Sequence, residues 1–470
     1  MTPTKLLQLT AFTLPIFAQG GWLATAQAAR PNLIIILSDD QGWGDAGFQG
    51  APDVKTPNLD RLAASGVRFT QGYVTAPQCI PSRAGLLTGR YQQFAGIECN
   101  PNDNKNSIYQ LNEGTRTIAS ELRSAGYRTG IVGKWHLGEP LSTQPFNKGF
   151  EWCAYMRSGM GFHFQNSAWP KDKNGVATNW FRNEQDQTIP IEGNAHMTEL
   201  FTDKALEFIQ KKDERPFFLY IAYHPPHWPL EAPEESISEY RDIKDVNRQV
   251  CAAMITDLDT QIGRILDFLK SSGREENTVI AFLSDNGAPE YSGPNITPVK
   301  MGQNASINGD LSGCKGMLLE GGIRVPFVLS WPARIPGGKS ADWPVISLDL
   351  TPTFLAAADA SPLPDADGIN LLPYLIPHTA KDVPERPIFW RFNTQWALQD
   401  AIRRGPWKLV NAGSPGPRKL FNIDEDPSER NDLAAVHAEK SAALAKELDA
   451  WLAKLPPPNP EWITVKNPTP

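Results

Sequence analysis

The feature that most constrains this chain is a recurring arrangement: a short, wholly apolar run stops abruptly at a cluster of chemically capable polar residues. Leu33 to Leu37 is isoleucine-rich and ends at Ser38-Asp39-Asp40-Gln41-Gly42. Being apolar at every position rather than every second one, it reads as a strand covered on both faces. Thr56-Pro57 then opens a helix with Leu59, Leu62 and Ala63 on one face and Gly66 as its stop. The cycle repeats. Thr117 to Ala125 reads as helix, and Tyr127 to Val132 as a strand leading into Gly133-Lys134-Trp135-His136-Leu137-Gly138. Pro216 to Ala222 runs into Tyr223-His224-Pro225-Pro226-His227-Trp228-Pro229, where three prolines forbid regular structure. A helical apolar period from Val250 to Leu269 precedes a strand, Thr278 to Leu283, that ends at Ser284-Asp285-Asn286-Gly287. Alternation of this kind predicts an α/β fold, a large mixed but mainly parallel sheet sandwiched by helices. Open α/β sheets bind ligands at the carboxyl ends of their strands, so the four polar clusters are expected to meet at one edge.

The texture changes after about Asp365. Pro387 to Phe392, Ala397 to Arg403, Trp407 to Val410 and Lys419 to Ile423 are short strand candidates, and Ala434 to Leu455 is an Ala-rich helix. They predict a smaller antiparallel sheet plus helix. The organisation expected is therefore a main unit over 29–365 and a C-terminal subdomain over 366–470, with the Pro-rich stretch 362–384 between them. A length of 470 residues allows this division.

Residues 1–28 carry Lys5, an apolar stretch from Leu6 to Phe17, and Ala26-Gln27-Ala28 ahead of Ala29, the layout of a cleavable secretory signal peptide. The expected product is exported, periplasmic or secreted. No later apolar run approaches the ~18 residues needed to span a bilayer, so no stable membrane anchor is expected. Cleavage removes one lysine and no acid, taking the net charge from -7 to -7 - 1 = -8. Such a surface is not built to capture nucleic acid. Cys79, Cys99, Cys153, Cys251 and Cys314 are odd in number for an oxidising compartment, which suggests another task for one of them.

Asp39, Asp40, Asp285 and Asn286 offer only hard oxygen ligands, the set that suits calcium. The competing reading is that Asp39 and Asp285 cap following helices. Cys79-Ile80-Pro81-Ser82-Arg83 is followed by Leu87-Thr88-Gly89-Arg90. A lone cysteine is ordinarily a small buried hydrophobe. This one, however, sits in a motif that resembles the signature of the type I sulfatases of the alkaline phosphatase superfamily, the arylsulfatase and N-acetylgalactosamine-6-sulfatase kind. Further blocks of that family are present in its order, from Ser38-Asp39-Asp40-Gln41-Gly42 to Lys315 ahead of Glu320-Gly321-Gly322-Ile323-Arg324-Val325-Pro326.

The resemblance implies that a maturation enzyme oxidises Cys79 to formylglycine, and that a calcium ion is held by Asp39, Asp40, Asp285, Asn286 and the oxidised residue 79. It implies that Arg83, Lys134 and Lys315 carry the positive charge around a sulfate ester. His227 would protonate the leaving oxygen, assisted by Lys315, and His136 would take the proton during sulfate release. A hydrated aldehyde suits such a cycle because one hydroxyl attacks sulfur and the other drives sulfate out, whereas a simple alcohol would be left esterified.

A long aromatic-rich segment between Glu139 and His196, with Trp152, Tyr155, Phe162, His163, Phe164, Trp169, Trp180 and Phe181, reads as irregular loop near the site. Aromatic faces suit a sulfated carbohydrate; a small aryl sulfate is the other substrate class the resemblance allows. His224 is a further candidate substrate contact. Two rival functions share these motifs: a phosphate or phosphonate ester hydrolase of the same superfamily, and a calcium-dependent carbohydrate-binding protein in which Cys79 stays unoxidised.

Overall fold

A computed structural model describes residues 30–100, 110–157, 163–164, 181–189, 195–289, 305–377, 381–393, 398–413 and 416–457. The proposed signal peptide, Phe162, Trp169 and Trp180 lie outside these residues. In chain order the elements are β1 (Asn32–Ser38), α1 (Pro57–Ala64), β2 (Val67–Phe69), β3 (Gly72–Tyr73), α2 (Cys79–Thr88), α3 (Ile118–Ser124) and β4 (Arg128–Lys134). There follow β5 (Trp152–Met156), β6 (Phe181–Arg182), α4 (Met197–Gln210), β7 (Phe217–Ala222), α5 (Glu234–Ser238), α6 (Val246–Ser271), β8 (Thr278–Ser284), α7 (Glu320–Ile323) and β9 (Phe327–Ser330). The chain continues through β10 (Lys339–Ala341), β11 (Val345–Ile346), α8 (Leu350–Ala357), α9 (Leu372–Leu375), β12 (Pro387–Asn393), β13 (Leu398–Arg404), β14 (Trp407–Asn411), β15 (Lys419–Asn422) and α10 (Ala438–Leu452).

Nine strands form one sheet in the order β10-β2-β9-β8-β1-β7-β4-β5-β6. The centre, from β8 through β1, β7 and β4 to β5, is parallel, while β9 pairs antiparallel with both β8 and β2. The predicted mixed, mainly parallel sheet is present. Alternation along β1 explains its double burial: Leu33, Ile35 and Leu37 join a core with α2, α3 and α8, while Ile34 and Ile36 join another with α1, α4 and α6. Each such side chain, fully removed from water, contributes about 1.5–3 kcal/mol.

The second sheet, β12-β13-β14-β15, is antiparallel throughout. Ile402, Leu409 and Leu420 on one face pack on Leu444 and Leu448 of α10. On the other face Trp390, Phe392, Ala401 and Val410 enter the core beneath α2, and Trp390 Nε1 donates to Val74 O at 2.8 Å. No helix among the described residues is long and apolar enough to cross a membrane.

Two local expectations differ. Thr56 precedes α1 but does not cap it; the Asp259 carboxylate of α6 accepts from Asn58 N and Leu59 N at 3.0 and 2.7 Å, so the helix start is satisfied from a neighbouring element. Part of the supposed loop after Glu139 is sheet: Tyr155 is wholly buried in β5, and Trp152 packs on Phe208 at 5.4 Å.

Candidate active site

Strand register assembles the site. Ser38 pairs with Ser284, Leu37 with Ala222, and Gly133 with Ala222, so the residues that leave β1, β8, β7 and β4 emerge side by side at one edge. Asp40 adopts φ +66°, which breaks the up-and-down alternation of an extended strand and lets neighbouring carboxylates share one pocket. Asp40 N donates to Asp285 Oδ1 at 3.1 Å, fastening the β1 end to the β8 end. Neither Asp39 nor Asp285 caps a helix; both run into bends.

Cys79 is the first residue of α2, a helix whose ten residues are all buried. Pro81 fits within the first turn, where its missing N–H costs nothing. The Cys79 Sγ lies 3.5 Å from Asp39 Oδ1 and 4.0 Å from Asp40 Oδ1. Ligand atoms of Asp39, Asp40, Cys79 and Asp285 all fall within 4.8 Å of one another. Asn286 Nδ2 donates to Asp40 Oδ1 at 2.7 Å, while its buried Oδ1 has no hydrogen-bond partner.

Three cations answer the three carboxylates. Arg83 donates to Asp285 through Nε at 2.9 Å, with Nη2 at 2.8 Å and a further 3.5 Å approach to Asp39. Lys134 Nζ bonds Asp39, and both side chains are wholly buried. Lys315 Nζ lies 2.6 Å from Asp40. Burial works to raise the Asp39 and Asp40 carboxyls, yet Lys134, His227 and Arg83 hold Asp39 well below the usual range, and Lys315 and His227 hold Asp40 below it. Asp285 is pushed up to about 6, by burial first and then by Asp39. Crowded hard-oxygen donors, one of them an orphaned amide oxygen, fit a divalent cation such as calcium.

His136, at φ +58°, is held well below its ordinary pKa by burial and then by Lys134 and Arg83; its Nδ1 has no partner. Burial pushes His227 down to about 3, against the pull of Asp39. Its Nδ1 faces Trp228 O at 2.6 Å, and Nε2 lies 3.8 Å from Asp40. His227 and Lys315 keep 14% and 17% of their side chains exposed, whereas Arg83, Lys134 and Asp39 keep none. His136 is partly exposed as well, so the site opens where His227, Lys315 and His136 lie.

The candidate catalytic and metal-ligating residues converge, and His224 joins them, but buried rather than on the exposed side where a substrate contact was expected. It is 1% exposed, with Nδ1 3.4 Å from Asp39 Oδ2, behind the carboxylates. His163, expected only as part of an aromatic loop near the site, stacks on His224 at 4.8 Å, which stacks on His227 at 4.8 Å, and His163 Nε2 meets His227 O at 2.9 Å. No local pattern around His163 could have signalled this. All five cysteines lie among the described residues and none forms a disulfide.

A nucleophile position among carboxylates, faced by buried cations, suits reaction at an anionic ester, the chemistry of a hydrolase. The family described as Sulfatase matches residues 31–360, and one described as N-sulphoglucosamine sulphohydrolase, C-terminal, matches 314–456. The chain belongs to the sulfatase family and is a sulfuric ester hydrolase. It is 34% identical to the N-acetylgalactosamine-6-sulfatase of Canis lupus familiaris, covering 90% of this chain and 88% of that one. It is 28% identical to the N-acetylgalactosamine-6-O-sulfatase of Bacteroides thetaiotaomicron, covering 90% and 93%. The crystal structure of Ps i-CgsB in complex with k-i-k-neocarrahexaose matches with TM-score 0.82 and 31% identity, over 92% of this chain and 94% of that one.

Proposed function

We propose that the chain is an exported, periplasmic or secreted enzyme that removes sulfate from a sulfated carbohydrate, with Cys79 converted to formylglycine by a maturation enzyme and calcium held by Asp39, Asp40, Asp285, Asn286 and residue 79. In this reading residues 29–365 form the catalytic unit and 366–470 a C-terminal subdomain. The observation that carries it is the position of the Cys79 Sγ at the head of α2, 3.5 Å from Asp39 and inside the carboxylate cluster. The carbohydrate is supported by what the relatives are named for: N-acetylgalactosamine-6-sulfate in two cases and a neocarrahexaose in the third.

Calcium supplies positive charge at the sulfate oxygens, and the hydrated aldehyde supplies the attacking hydroxyl. The remaining work belongs to this chain's own side chains. Arg83 and Lys134 fix the anionic group on the buried side, their charges maintained by Asp285 and Asp39. His227 and Lys315, at the mouth, face the departing oxygen, where His227 donates a proton. An arriving anion acts on His227 in the same sense as Asp39 and Asp40, favouring its protonated form. His136, kept neutral by its surroundings, accepts the proton from residue 79.

The test is to follow p-nitrophenyl sulfate and p-nitrophenyl phosphate side by side, with sulfate release from N-acetylgalactosamine-6-sulfate and neocarra-oligosaccharides. Sulfate ester turnover, together with release from at least one glycan, is expected. Faster phosphate than sulfate turnover, or release from no glycan, contradicts the reading.

A further inference from the structure

Lys315 belongs to a stretch, 312–319, without helix or strand, yet its Nζ must meet Asp40 accurately. Backbone bonds tie one side of this stretch to the catalytic edge: Lys315 N donates to Ala288 O at 2.9 Å and Gly316 N to Pro77 O at 2.8 Å. Gly316, at φ +92°, turns the chain there. On the other side, one side chain from the second sheet makes two bonds to the stretch. Gln399 of β13 donates through Nε2 to Gly316 O at 2.7 Å and accepts at Oε1 from Leu318 N at 2.9 Å. It is 5% exposed. Two more grips come from the same part of the chain: Ser312 Oγ donates to Ser428 O, and Glu320 N donates to Glu429 Oε2 at 2.7 Å.

The geometry points to Gln399 as a positioning residue for Lys315, the means by which the C-terminal sheet sets the lysine at the mouth of the site. The carboxamide presents a donor and an acceptor on one planar group, which these two bonds use; an ionised glutamate keeps the bond to Leu318 N and loses the one to Gly316 O, and methionine keeps neither. The inference rests on the reading of Lys315 as a group at the leaving oxygen.

Gln399→Met and Gln399→Glu are prepared in the full, matured enzyme, alone and with Lys315→Ala. Their kcat and KM are measured on aryl sulfates with good and poor leaving groups, alongside Tm. Gln399→Met is expected to lower kcat/KM on the poor leaving group about tenfold and less on p-nitrophenyl sulfate, with Gln399→Glu intermediate; two neutral hydrogen bonds justify a loss of about that size. In the Lys315→Ala background neither change should add a further loss, because residues that act through one group are not additive. Equal losses on both substrates, or the same loss in both backgrounds, overturn the inference and make Gln399 merely structural. Gln399→Glu serves this comparison should Gln399→Met fail to fold. Unchanged rates in Lys315→Ala alone overturn the role of Lys315, and this inference with it.

Discussion

Asp285→Asn removes one charge from the carboxylate cluster while nearly preserving its shape, and two separable losses should follow. The first concerns Arg83, which in the wild type donates to Asp285 from Nε at 2.9 Å and brings Nη2 to within 2.8 Å of the same carboxylate, with both side chains wholly buried. Removing one partner of a buried ion pair costs about 3–5 kcal/mol. Asp39, 3.5 Å from Nη2, retains some compensation, which places the expected cost near about 3 kcal/mol. The second loss is the gain from calcium. An ion that binds only the folded state at a hundred times its Kd stabilises by about 2.7 kcal/mol, and a variant lacking one of the three carboxylates should forfeit most of this. Urea unfolding of wild type and variant, each in saturating calcium and in chelator, separates the two. Chelator should lower the wild-type midpoint and scarcely move the variant's. In chelator the variant should lie about 3 kcal/mol below wild type. A calcium-dependent gain as large in Asp285→Asn as in wild type would refute Asp285 as a ligand; a chelator difference under about 1 kcal/mol would refute the account of Arg83.

His227→Ala should slow sugar and phenyl sulfates by about 10²–10⁴-fold but p-nitrophenyl sulfate far less, since only a poor leaving oxygen needs the proton; a Brønsted plot over leaving groups reads this directly, and equal losses across the series contradict it. Away from the site, burial pushes the Asp257 carboxyl from an ordinary 3.8 up to about 7. The folded state then holds that proton more tightly than the unfolded chain, so stability is present at acidic pH and lost as pH rises from about 4 to about 7. Asp257→Asn should gain stability relative to wild type over that range, by up to about 4 kcal/mol; parallel denaturation profiles from pH 4 to 8 would contradict it.

The central strands β1, β7 and β8 were legible as apolar runs that end at polar residues, and β4, which carries Arg128 and Thr129, from its short run into Gly133-Lys134-Trp135-His136. The helix α2 was not, because all ten of its residues are buried and leave no amphipathic period to read. The predicted start at Val250 missed the first turn of α6: Val246 is 67% exposed, and the helix begins there because the Asp245 side chain caps it. The strand β5 was hidden among aromatic residues that suggested loop. At the site, residue types and motifs named the participants, whereas the side chains of Gln399 and His163 bond backbone atoms 81 and 64 residues away, a distance at which no local pattern speaks.

The central claim is that residue 79 works in oxidised form. The mass of the tryptic peptide Phe69 to Arg83 from protein made in the native host, compared across preparations with the specific activity of each, tests it most directly. Activity should rise in proportion to the formylglycine fraction and vanish in Cys79→Ala. Full sulfatase activity in a preparation whose peptide carries only the unmodified thiol would contradict it.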